Sequence, residues 1–177
     1  MNTPVCPTFG LPISKGLDDH GDLTFDNPIL IHDRQLDMQL HIDEFTMKDY
    51  QKVIALWQSS EGIGLSNADS RDSMKAYLKR NSGMSFVARC KNEVIGAVLC
   101  GHDGRRGYLH HLAVHRDFRN QGIGRSLVDK CIAALQTIGI QKCHLFIFST
   151  NENGIQFWKK IGWTPRKDIG VVSKEIY

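Results

Sequence analysis

The stretch HLAVHRDFRNQGIGRSLV, residues 111–128, constrains this chain more than any other. An apolar strand run ends in a charged turn. Arg119-Asn120-Gln121-Gly122-Ile123-Gly124 follows and leads straight into an amphipathic helix. The first turn of a helix leaves backbone N–H groups without partners, and the helix dipole adds partial positive charge there. Glycines at that point let an anion reach those N–H groups with no Cβ in the way. Arg116, Arg119 and Arg125 add charge, so the junction suits a pyrophosphate. It also requires a strand and a helix in succession, an α/β arrangement.

Two familiar phosphate-binding patterns do not fit. A P-loop needs G-x-x-x-x-G-K-[ST], and the chain has no such run. A dinucleotide fingerprint needs G-x-G-x-x-G, but after Gly122 and Gly124 the third glycine position holds Leu127. The segment between Val114 and Gly122 is also too long for that turn. A pattern R/Q-x-x-G-x-G/A after a strand and a basic turn does fit.

The rest of the chain supplies the frame. Residues 1–37 carry Pro4, Pro7, Pro12 and Pro28 with no sustained periodicity, and read as an N-terminal extension or arm. A regular pattern begins near Met38, where QLHIDEF alternates as a strand. A helix from Thr46 or Met47 has Tyr50, Val53, Ile54 and Trp57 on its apolar face. Asn67-Ala68-Asp69-Ser70 caps a second helix with Met74, Tyr77 and Leu78. Strands at 84–90 and 93–101 flank a tight Lys91-Asn92 turn. Asp103-Gly104 turns the chain into a strand at 108–114. The helix after it buries Ile123, Leu127, Cys131, Ile132, Leu135 and Ile138, and Gly139 ends it. KCHLFIFS, 142–149, reads as a strand covered on both faces. A short helix from about Asn153 closes at Gly162, and Trp163-Thr164 and 170–176 read as final strands. The order is β-α-α-β-β-β-α-β-α-β-β. The expected fold class is α/β, a mixed and largely antiparallel central sheet with helices on both faces.

Composition narrows the class of function. The 177 residues suit one domain, 38–177, besides the arm. A net charge of +3, dispersed along the chain, argues against nucleic acid as a partner. No apolar run approaches the roughly 18–20 residues that span a bilayer, so no membrane partner is expected. The N-terminal residues lack the basic and apolar regions of a signal peptide, and a cytoplasmic location is expected. The five cysteines form no C-x-x-C pair and read as free thiols, and no metal site is expected.

Residues 119–124 resemble motif A of the GNAT superfamily of N-acetyltransferases, which bind the pyrophosphate of acetyl-CoA in this way. NENGIQFWKKIGW, 151–163, resembles a second motif of that family, with Asn151, Phe157, Trp158, Gly162 and Trp163 in register. The element order from Met38 to Ile176 matches too. The run LHHLAVHRDFRNQGIG is locally similar to arylalkylamine N-acetyltransferases. The resemblance implies an acetyl-CoA-dependent N-acetyltransferase acting on a primary amine of a small molecule or protein, by direct attack in a ternary complex. It implies a monomer or homodimer with acetyl-CoA as co-substrate. Cofactor contacts would come from Leu112, Ala113 and Val114, then Arg119, Asn120, Gln121, Gly122, Ile123, Gly124 and Arg125, and from Asn151, Phe157 and Trp158. The alternative is a non-catalytic acyl-CoA-binding or regulatory module on the same fold. A nucleotide-binding oxidoreductase is a third reading, which requires nicotinamide binding.

The chemistry needs a proton acceptor, because an alkylamine with a pKa of about 10 is protonated at pH 7. His110 or His111 fits, since an imidazole with a pKa of about 6.5 accepts a proton at neutral pH. By resemblance His110 leads. Alternation puts His110 on one strand face with Tyr108 and Leu112, and His111 on the other, unless a bulge shifts the phase. The Val114 backbone N–H is the expected donor to the thioester oxygen. The family's usual tyrosine acid is replaced here by Trp158, whose indole cannot serve as an acid at neutral pH. Tyr108 is the substitute acid, unless thiolate leaves unaided or water supplies the proton. Trp57, Glu61 and Arg106 are candidate acceptor-binding residues: Glu61 for an ammonium, and Arg106 with Arg105 for a carboxylate. Both are also ordinary solvated loop residues by type.

Overall fold

The computed structural model describes residues 40–176 and, ahead of them, the short strands Gly16–Leu17 (β1) and Leu23–Thr24 (β2), which pair antiparallel. The rest of the expected N-terminal arm lies outside the described residues. The chain forms two units, Met1–Leu145 and Phe146–Tyr177.

In the first unit β3 (Leu40–Glu44) leads to α1 (Tyr50–Gln58), a 3₁₀ turn at Asn67–Asp69 and α2 (Arg71–Arg80). Then come β4 (Phe86–Cys90), β5 (Glu93–His102) and β6 (Gly107–Val114). A 3₁₀ turn at Arg116–Phe118, α3 (Ile123–Thr137) and β7 (Cys143–Leu145) complete it. The sheet order is β3-β4-β5-β6-β7, antiparallel until the parallel β6–β7 pair. The expected mixed, largely antiparallel sheet is the one observed.

Helices cover both faces. On one, Val53, Leu56 and Trp57 of α1 and Met74 of α2 pack with Val87, Ala97, Leu99 and Ala113. On the other, α3 lies so close that a Cβ at Gly96 would sit 3.0 Å from Leu127 Cδ1. At Gly107 a Cβ would sit 2.5 Å from Leu135 Cδ1 and 3.2 Å from Cys143 Sγ. Leu135 is fully buried there, so making room for the methyl group displaces packed neighbours. Gly107→Ala is therefore expected to destabilise the fold by about 1–3 kcal/mol, read as a lower urea midpoint. An unchanged midpoint would mean that α3 rides loosely on this face.

Five expectations are corrected. The first helix begins at Tyr50, because the Thr46 N–H and hydroxyl both donate to Asp49 Oδ2, at 3.0 and 3.1 Å, and draw 46–49 into a turn. Ile138 is exposed; the left-handed turn at Gly139 (φ +79°) swings the chain so that Ile140 is buried instead. The strand expected over 142–149 pairs only from Cys143 to Leu145, because the matching stretch of β6 ends at Leu109, just before a bulge. Trp163-Thr164 and 170–176 form no strand among the described residues. Cys100, Cys131 and Cys143 are free thiols, whereas Cys90 is disulfide-bonded, against the expectation for all five. No helix of the described residues is long and apolar enough to cross a membrane.

The second unit holds α4 (Glu152–Lys160). Asn151 Oδ1 caps it by accepting the Gly154 N–H at 2.9 Å, and Gly162 (φ +92°) closes it as expected.

Candidate active site

The site is built around an irregularity in β6. Ala113 pairs with Ala97 and His110 with Leu99, so His111 and Leu112 together oppose the single residue Val98. That is a β-bulge, and it leaves His111 at φ +51°. A non-glycine residue in the left-handed region costs about 1–2 kcal/mol, which the packing around it must hold in place. The bulge also breaks strand alternation. His110 lies opposite Leu99, which belongs to the α1 face of the core, and His111 reaches Trp57 of α1. Both histidines therefore serve the same side, their ring centroids 6.5 Å apart, where simple alternation would separate them.

His111 is held by two groups. Its Nε2 lies 2.8 Å from Asp69 Oδ1, and its ring stands 4.9 Å from that of Trp57. Asp69 is a buried carboxylate whose other oxygen, Oδ2, accepts the Ser66 N–H at 2.8 Å in a capping box. The Tyr50 hydroxyl donates to the Asp69 carbonyl at 3.0 Å. The Trp57 indole N–H is buried and has no acceptor among the described residues. Such an unpaired donor is rare in a core, and it sits beside a strained backbone. His110 is packed differently, with its ring 6.3 Å from Tyr77 and 6.5 Å from Tyr108. Burial, and then the charge of His111, lower its pKa, with Asp69 acting weakly the other way. His110 is therefore neutral at pH 7.

The end of β6 faces the anion site. His115 N–H donates to Ile95 C=O at 2.8 Å, and Val114 lies opposite Gly96. In an antiparallel ladder this makes Val114–Gly96 a non-hydrogen-bonded pair, so the Val114 N–H and C=O point away from β5. Arg119 Nε donates to that carbonyl at 3.0 Å, which fixes the loop before α3. Asn120 (φ +63°) and Gly122 (φ +82°) then turn the chain into the helix. A Cβ at Gly122 would meet nothing within 4 Å, so the approach is open. The first helical bond at this end runs from Ser126 N–H to Gly122 C=O. The amides of Gln121, Gly122, Ile123, Gly124 and Arg125 have no acceptor among the described residues. Arg125 lies 3.7 Å from Asp129, one helical turn on.

Other expected site residues are placed less favourably. Trp57 is 1% exposed and backs His111 instead of lining open space. Ile123 and Ala113 turn their side chains into the core, leaving only backbone for a ligand. Leu112 is half-buried at the bulge. The Tyr108 hydroxyl points back to Asp103 Oδ2 at 3.5 Å, and its ring packs between those of His110 and His144. Arg106 is exposed in the β5–β6 turn, where its Nη1 donates to the Arg105 carbonyl. Strand geometry sets it roughly 16 Å along β6 from His111. Glu61 is exposed in the connection between α1 and α2. Asn151 spends its side chain on the α4 cap, and Phe157, Trp158 and Trp163 stack edge to face within the second unit. Asp69 is the residue that sequence reasoning missed. Its capping-box spacing to Ser66 was visible, but its partner lies 42 residues away.

A model of the acetyltransferase (GNAT) family matches residues 50–163, a span that holds the bulge, Asp69 and the amide row. An acetyltransferase of Pectobacterium atrosepticum is 30% identical over 122 residues, which are 69% of this chain and 86% of the relative. The PaiA N-acetyltransferase of Thermoplasma acidophilum, solved in complex with coenzyme A, has a TM-score of 0.67 at 18% identity, covering 75% of this chain and 94% of that one. An aminoglycoside acetyltransferase from an uncultured soil metagenomic sample, solved with sisomicin, has a TM-score of 0.61 at 16% identity, covering 78% and 97%. At such identities the two structures speak for the fold.

Proposed function

Since the chain belongs to the GNAT acetyltransferase family and is an acetyltransferase, we propose that it moves the acetyl group of acetyl-CoA to a primary amine of a small molecule or protein, by direct attack in a ternary complex. One observation carries the cofactor part of this reading. Five successive amides, from Gln121 to Arg125, lack acceptors among the described residues at the open start of α3. That is the chemistry of a pyrophosphate seat, because charge-assisted N–H bonds and the helix dipole both favour the anion.

Acetyl-CoA supplies an acyl group activated as a thioester. The protein supplies the rest. Residues 121–125 hold the phosphates, and Gly122 keeps the approach clear. The Val114 N–H, turned away from β5, is the donor for charge developing on the acyl oxygen. His110 or His111 takes the proton from the amine, directly or through water. No protein acid is needed for the departing sulfur, because a thiol pKa of about 8.5 makes thiolate a tolerable leaving group. This suits the turn of Tyr108 toward Asp103 and the presence of Trp158 in place of a tyrosine. The aminoglycoside acetyltransferase among the fold neighbours supports placing amino-bearing small molecules first among acceptors.

Free-thiol release from acetyl-CoA, followed over a panel of aminoglycosides, arylalkylamines, polyamines and peptide N-termini, tests the reading. Turnover of at least one amine is expected. Tight coenzyme A binding with silence across the panel would favour the non-catalytic acyl-CoA-binding module instead.

A further inference from the structure

We propose that Asp69 is a positioning residue that fixes the tautomer of His111, making His111 Nδ1 the proton-accepting nitrogen of the acetyl-transfer site. The inference rests on the acetyltransferase reading above and deepens it.

The argument starts from donor and acceptor roles. A carboxylate can only accept a hydrogen bond. Asp69 Oδ1 lies 2.8 Å from His111 Nε2, so in neutral His111 the proton sits on Nε2 and the lone pair on Nδ1. Asp69 cannot easily rotate away, because Oδ2 is held by the Ser66 N–H at 2.8 Å. Trp57 backs the ring. The positive φ of His111 is the cost of pointing the ring at Asp69 instead of letting the strand alternate. Strain, a buried carboxylate and a buried indole N–H with no acceptor among the described residues meet at one imidazole. The carboxylate and the Trp57 ring fix the imidazole, and the left-handed backbone beneath it costs stability. An oriented base with a free nitrogen is what amine deprotonation needs. In the step an N–H bond of the ammonium breaks and its proton moves to Nδ1; the freed lone pair forms the new bond to the acyl carbon as the C–S bond breaks, and the second nitrogen proton passes to the departing thiolate or to water.

Asp69→Asn makes the decisive variant. The Ser66 N–H still needs an acceptor, so the asparagine oxygen turns to Ser66 and its NH₂ faces His111 Nε2. A donor there forces the proton onto Nδ1 and removes the lone pair. Nitrogen-15 NMR of the ring, with His111 assigned by its loss in His111→Gln, is expected to report the Nε2–H form in the wild type and Nδ1–H in Asp69→Asn. The kcat of Asp69→Asn is expected to fall by roughly 10²–10⁴-fold, with KM for acetyl-CoA changed less than about twofold. The double variant Asp69→Asn/His111→Ala is expected to be no slower than His111→Ala alone. A wild-type ring protonated on Nδ1 would overturn the proposal, and needs no variant to fold. So would an Asp69→Asn loss that persists in the His111→Ala background, which marks a purely structural role. If the wild type acetylates no amine, the function reading fails while the NMR still decides the tautomer.

Discussion

Gly122→Val should weaken coenzyme A binding by orders of magnitude while leaving the sheet folded. A Cβ at this position meets nothing within 4 Å beyond its chain neighbours, so the side chain starts out into open space. Two other effects follow. The residue must hold φ +82°, which costs an L-amino acid about 1–2 kcal/mol and a β-branched one more. That cost falls on the loop before α3 rather than on the core, because Gly122 precedes the first buried residue, Ile123. The larger effect is on the ligand. The new methyl groups would occupy the open space over the amides of Ile123 and Gly124, through which a phosphate must come. A hydrogen bond to a charged group contributes about 1.5–3 kcal/mol, so losing two lowers affinity by roughly 10²–10⁴-fold. Calorimetry with coenzyme A, beside a thermal melt of the same sample, separates binding from stability. Gly122→Ala should fall between, sharing the strained φ with only one methyl group. Wild-type affinity in Gly122→Val would mean the anion sits elsewhere.

The second large effect is expected at the bulge. His111→Ala should lower kcat by roughly 10²–10⁴-fold, the usual contribution of a positioned base. Coenzyme A affinity should change little, because His111 sits on a different face from the amides of α3. His110→Ala should cost much less. Burial and then the neighbouring His111 depress the His110 pKa, and a weaker base accepts a proton less readily in the transition state. Its ring is also packed against Tyr77 and Tyr108. The same shift affects stability with a definite sign. With the folded pKa of His110 below its unfolded value of about 6.5, the unfolded chain binds the proton first as pH falls. Stability is therefore lost as pH drops from about 6.5 toward the folded pKa, and His110→Ala should flatten that slope in urea titrations at successive pH values. A loss of turnover confined to His110→Ala would return the proton to His110.

Much of this protein could be read locally. Turn residues at Lys91-Asn92 and Asp103-Gly104, the caps at Gly139 and Gly162, and the apolar stripe of α3 through Leu135 each act over a few neighbouring residues. The open amides at the start of α3 are of the same kind, since glycines and a helix start are written side by side. Errors came where the deciding contact is distant or where the backbone departs from regularity. Ile138 obeys the helical period but falls beyond the helix. The strand at 142–149 has the composition of a long strand, but the ladder ends where its partner β6 bulges.

The sequence alone determined the family-like frame, the helix start and the presence of two adjacent histidines, because each depends on residue type within one turn or one strand. Only the tertiary structure decided which histidine is held and how. A bulge at residues 111–112 overrides the two-residue alternation, and a carboxylate brought from the α1–α2 connection pairs with one imidazole. Alternation is a property of a regular strand, while a bulge and a long-range ion-bearing pair depend on what the fold packs against that strand. No local pattern in β6 carries that information.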